Sequence, residues 1–96
     1  MTDSAKTSWQ HEAGALRFLA AKVARVHGPT HPDVATLATV VDALAVTKPS
    51  DTQALSTMGG RLRELTGEFK PWEGACGSVH QLFAGLKGIA QELPKG

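Results

Sequence analysis

The chain has 96 residues, 42% of them hydrophobic and 20% charged, with a net charge of +1. That length supports one domain with a single modest core, and the composition is that of a folded globular chain and not a disordered one. The Lys and Arg residues are scattered and form no basic tract interleaved with aromatics, which argues against nucleic acid as a partner.

Apolar residues recur at three- and four-residue steps, and strand-like alternation is absent. In a first helix, 8–27, Trp9, Leu16, Leu19, Val23 and Val26 share one stripe. Thr7 with Gln10 forms a capping-box pattern at its start, and Gly28-Pro29 ends it. Pro32 suits the first turn of a second helix, 32–47, with His31 at or near its N-cap. Val34, Leu37, Val41 and Leu44 then step by three and four, until Lys48-Pro49 stops the helix. Ser50 with Gln53 is a second capping-box pattern and opens a third helix, 50–66, carrying Leu55, Met58, Leu62 and Leu65, with Phe69 continuing the same spacing. Gly67 is its expected stop, and Pro71-Trp72 belongs to a loop. The fourth helix, 74–93, carries Ala75, Val79, Leu82, Leu86, Ile89 and Leu93, and Pro94 closes it.

Four amphipathic helices joined by short loops predict an all-α, antiparallel up-down-up-down four-helix bundle. In that arrangement the loops after the first and third helices lie at one end. Val26-His27-Gly28 is therefore expected beside Phe69-Lys70-Pro71-Trp72. No apolar run approaches the ~20 residues that span a bilayer, and the polar start Met1–Lys6 lacks the apolar core of a signal peptide. A soluble cytoplasmic protein with no membrane contact is expected. The single cysteine, Cys76, excludes an intramolecular disulfide.

Few residue types here carry chemistry. His27 follows Val23 by four and continues the inward stripe to the helix end. It is a candidate ligand for a metal or haem, or a cation held by the helix dipole; the commoner reading is a helix-end imidazole bonded to a carbonyl. His31 is a second candidate metal ligand, although Gly28-Pro29 interrupts the helix between the two, so their spacing is not a helical pair. His11 and His80 read as surface or rim residues. Cys76 and His80, four apart, could give two zinc ligands or a nucleophile and base, but the ordinary reading is a small buried thiol beside an exposed histidine. Gly59, Gly60, Gly85 and Gly88 fall inside helices, where each costs on the order of 1 kcal/mol against alanine. Close helix packing explains them most simply; a flat ligand between the third and fourth helices, near Cys76, is the sharper alternative, and a kink is a third. No phosphate loop, nucleophile elbow or dinucleotide fingerprint is present, so an enzyme is not favoured.

The stretches "KVARVHGPTHPDV" (22–34) and "LRELTGEFKPWEGACGSVHQLFAGL" (62–86) together resemble the haemerythrin-like di-iron proteins that repair iron–sulfur clusters. They fall at the end of that family's first helix and at the passage from its third helix to its fourth. The resemblance implies a four-helix bundle with two irons held by histidines and carboxylates, and a role in nitrosative and oxidative stress. His27 falls at a ligand histidine of the family. Lys6 and Thr52 stand near two other ligand histidines, residues 33–53 lack the family's histidine–glutamate pair, and Pro94-Lys95-Gly96 follows Leu93 where the helix 4 signature belongs. One retained histidine cannot hold a di-iron centre, so an intact one is not expected; iron or haem remain the candidate cofactors. Two functions follow. One is non-enzymatic binding of a metal, haem or small ligand, linked to iron or to nitrosative or oxidative stress, with a homodimer doubling the ligand set. The other is a cofactor-free interaction module that self-associates or caps a larger protein partner.

Overall fold

The computed structural model describes residues 8–94. They form four α-helices, α1 (Ser8–His27), α2 (Pro32–Val46), α3 (Thr52–Thr66) and α4 (Gly77–Glu92), with no strand among the described residues. The helices pack around one shared core, with α1 against α2 and α4, and α3 against α2 and α4.

The buried stripe of α1 is Trp9, Ala13, Leu16, Ala20 and Val23, a strict four-three alternation. Continued by four, it reaches His27. Val26 falls one position short of it and is 58% exposed, which corrects its expected place on the stripe. The stripe of α2 is as expected, with Val34, Leu37, Val41 and Leu44 all buried. In α3 the stripe runs Leu55, Gly59, Leu62 and Thr66, leaving Met58 and Leu65 half-buried at its edge. Thr66 satisfies its buried hydroxyl by donating to the Leu62 carbonyl at 2.7 Å and accepting from Phe69 N–H at 2.8 Å. The core side of α4 is Val79, Leu82, Phe83, Leu86, Ile89 and Ala90, closed by Leu93.

Three helix starts bear on the capping expectations. Thr7, half of the first capping box, lies outside the described residues; its partner Gln10 turns its amide to the end of α2, donating to the Thr47 carbonyl at 2.8 Å. The cap of α3 is Asp51, whose carboxylate accepts from Ala54 N–H at 3.2 Å, so Ser50 stands one residue too early. Helix α4 starts at Gly77 and not at 74, because Gly74 takes a positive φ of 83° in a turn and Cys76 is the N-cap. The stop at Gly67 is as expected, at φ 60° in the left-handed region. The left-handed path continues through Glu68 (φ 62°) and Phe69 (φ 65°), where side chains are strained. That path carries Phe69 onto the core and the chain on to Trp72.

Candidate functional site

The end of α1, the start of α2, the loop after α3 and the start of α4 meet at one end of the molecule. The last turn of α1 is knotted by the His27 carbonyl, which accepts from His31 N–H at 2.7 Å and Thr30 N–H at 3.1 Å. Gly28 is required there, since a Cβ would collide with the Ala24 carbonyl oxygen. The tight turn delivers His31 to the N-cap of α2, where its ring caps nothing. It lies instead flat on Trp72, with centroids 3.8 Å apart and planes 16° from parallel. The opposite relation holds for His27, which meets Trp72 edge to face at 5.5 Å. Trp72 itself leans edge-on to the core residue Phe83 at 6.2 Å. The loop tryptophan therefore ties both histidines to the core, and the expected proximity of 26–28 to 69–72 is what the structure shows.

Within this cluster His27 meets Cys76, Nε2 to Sγ at 3.3 Å. Cys76 is exposed, not buried as its ordinary reading had it, and its neighbour is His27 rather than His80, which is exposed on α4. The thiol pKa is lowered from 9.0 to about 7. The backbone N–H of Val79 contributes most, the His27 hydrogen bond next, and partial desolvation opposes them. The favourable causes are therefore of two kinds, backbone N–H groups at the start of α4, where the macrodipole favours an anion, and the His27 ring brought in from the end of α1. A small hollow beside the sulfur, about 40 Å³, is lined by Lys22, Val23, Val26, His27, Cys76 and Ser78. On the far side of Trp72 a wider cleft of about 220 Å³ has His31, Val34, Lys70 and Phe83 in its walls.

The four glycines do not join this cluster. Gly59 faces Leu93, with room for a Cβ at 3.6 Å from Leu93 Cδ1. Gly85 lets Leu16 approach so closely that a Cβ would sit 2.9 Å from its Cδ1. At both positions a leucine of this chain occupies the space beside the glycine. Gly60 and Gly88 are exposed, with nothing near the missing side chain. Close packing accounts for the first two, and nothing in the structure explains the second two.

The described residues do not fit a di-iron centre: no three His, Cys, Asp or Glu side chains among them are grouped to hold a metal ion. What is present is one imidazole and one thiol, a soft pair without carboxylates. Cys76 is four residues beyond the loop already expected beside His27, but its pairing with His27 depends on the late start of α4 that the turn at Gly74 sets. Comparison with protein-family models, curated proteins and solved structures gives no match. No helix among the described residues is long and apolar enough to cross a membrane.

Proposed function

We propose that this chain is a single-domain, antiparallel haemerythrin-like bundle of the cytoplasm. In this reading it binds a soft divalent metal ion at the His27–Cys76 end, as a non-enzymatic component of a stress response. Two contacts support the antiparallel course: the start of α1 touches the ends of both α2 and α4, through Gln10 to Thr47 and through Ser8 to Glu92 at 2.6 Å. The observation that carries the function is the 3.3 Å separation of His27 Nε2 and Cys76 Sγ. Two donors on a tetrahedral zinc ion stand about 3.5 Å apart, given Zn–N near 2.0 Å and Zn–S near 2.3 Å. The pair is thus close to ligand spacing, and its thiol is readily deprotonated. Two donors fall short of four, and Cys76 is exposed at the end of the molecule, so a two-fold pair of chains completes a Cys₂His₂ set. His31 is held by its stack on Trp72 and stays outside the set.

Titration of reduced, tag-free protein with Co²⁺ tests this reading. The expected result is a near-ultraviolet thiolate-to-cobalt band saturating at one ion per two chains, with dimerisation on binding, both lost in His27→Ala and in Cys76→Ser. A band that survives Cys76→Ser, or no band at all, overturns it. Metal analysis and a visible spectrum of the protein as expressed distinguish iron or haem from zinc.

A second reading has its own observation. Phe18 is 86% exposed, beside the Arg17–Asp42 ion pair in a shallow hollow between α1 and α2. A cofactor-free module that self-associates would use such a residue at the centre of its contact. Association that needs no metal and disappears in Phe18→Glu favours this reading.

A further inference from the structure

We infer that two copies of this chain associate through the outer face of α1, antiparallel about Phe18, with each Phe18 ring seated in the other copy's hollow between α1 and α2. The contact rests on the self-associating reading above, for which it supplies the partner and the surface, and it needs no metal ion.

Phe18 contributes nothing to its own core. At about 100° per residue it points directly away from the buried stripe Trp9, Ala13, Leu16, Ala20 and Val23, and it is 86% exposed. The residues around it on that face are small: Gly14 a turn before it, Ala15 three residues before and Ala21 three residues after, none of them buried. Nothing stands within 4 Å of a Cβ placed on Gly14, so the surface there is low and open. One ring therefore protrudes between two flat shoulders. Beside it, the hollow walled by Arg17, Phe18, Ala21 and Asp42 has a volume of about 260 Å³. A cavity of about 150 Å³ holds benzene, so a second phenyl ring fits here with Phe18 as one wall. Val46, 75% exposed and one turn past Asp42 on the same side of α2, extends the apolar edge.

Shape and charge both make this face complementary to a copy of itself. Ala15 and Ala21 lie three residues either side of Phe18, so an antiparallel crossing sets each Ala15 against the partner's Ala21 and brings the two rings together at the axis. This is an isologous contact, in which one patch meets itself. The aromatic pair adds to the area it buries. The same rotation keeps α2 of both copies on one side of the crossing. There the Arg17–Asp42 pair, at 3.0 Å with both side chains more than half exposed, meets its own copy. Two guanidinium and two carboxylate groups collect beside the axis, and each guanidinium can bind the partner's carboxylate as well as its own. A patch with one charge of each sign accepts its copy, whereas a patch of single sign repels it.

Sedimentation of tag-free protein in chelator, from micromolar to millimolar concentration, tests this contact. The expected result is a monomer–dimer equilibrium with no larger species, since a two-fold contact closes on itself. Phe18→Ala should raise the dimer dissociation constant at least about 25-fold, as truncation of a central aromatic anchor does. Phe18→Glu should abolish the dimer. Arg17→Glu and Asp42→Arg each give the patch a single sign, and each variant alone should remain monomeric. Mixed one to one, the two should form a heterodimer. That recovery cannot come from repair of the pair within a chain, because neither chain in the mixture carries both signs. An exposed ion pair contributes little to the fold, so circular dichroism of both variants should match the wild type. A metal-free dimer that Phe18→Glu and both charge variants leave intact overturns this contact but keeps the self-associating reading, on another surface. Variants that lose the dimer and stay monomeric on mixing overturn the antiparallel pairing. A wild-type monomer at every concentration overturns both the contact and the reading it rests on.

Discussion

Each of the two pairs of helical glycines makes a different statement about side-chain space, and the difference decides what alanine does there. At Gly88 the side-chain direction is open and the residue is exposed within α4. Alanine adds helix propensity there without a contact, so Gly88→Ala should stabilise the fold by up to about 1 kcal/mol. At Gly85 the same gain is opposed by Leu16, with Cδ1 at 2.9 Å and Cδ2 at 3.3 Å from the new atom. Leu16 is buried, so its methyls have little room to retreat, and displacing a packed side chain typically costs 1–3 kcal/mol. Gly85→Ala should therefore be less stable than Gly88→Ala by at least about 1 kcal/mol in urea unfolding. Equal midpoints for the two variants would mean that α1 and α4 are not in the close contact described.

The helices and their ends were not equally legible in the sequence, and the reason lies in how local each signal is. The stripe of α2 could be read directly, because its buried positions are the large aliphatics Val34, Leu37, Val41 and Leu44. The stripe of α1 includes Ala13 and Ala20, residues too common on any helix face to mark one, and so Val26 takes their place in the sequence reading. Gly67 announces the left-handed end of α3, but nothing local announces that Glu68 and Phe69 follow it into positive φ; the burial of Phe69 against the core holds them there. The expected meeting of 26–28 with 69–72 came from chain order alone, whereas the His27–Cys76 pair depends on how far α4 is delayed by the turn at Gly74. The start of α3 is a case where two adjacent residues are both good caps and only geometry selects one. Asp51 makes the bond to Ala54 N–H and Ser50 does not. Asp51→Ala should cost about 1 kcal/mol of stability, while Ser50→Ala should be near neutral. A larger loss at Ser50 in thermal or urea unfolding would return the cap to the capping box.

Cys76 and His27 are 49 residues apart and meet only when α1 and α4 are packed together, so the state of the thiol is a property of the whole molecule. The other groups that lower the thiol pKa, the backbone N–H groups of Val79 and Ser78, likewise stand beside the sulfur only when the start of α4 is formed. Linkage then makes stability depend on pH. The folded chain has a thiol pKa of about 7, below the ordinary 9.0 that applies when the chain is unfolded. Above the unfolded value the thiol is ionised in both states, and the folded state has the full benefit of stabilising the anion. As pH falls through the interval between the two values, the unfolded chain takes up its proton first and the benefit declines. Below about 7 both states are protonated and the contribution is lost. Serine at 76 removes this titration and, being a better N-cap than cysteine, adds an offset that does not vary with pH. The difference in urea midpoint between the wild-type protein and Cys76→Ser should therefore be flat below about pH 6 and should move in favour of the wild type as pH rises toward 9. His27→Ala should show a weaker rise of the same sign, since the Val79 N–H remains. Parallel pH profiles for the wild-type protein and Cys76→Ser would mean that the sulfur is held no differently in the fold than in the open chain, and would remove the electrostatic basis for chemistry at this end of the molecule.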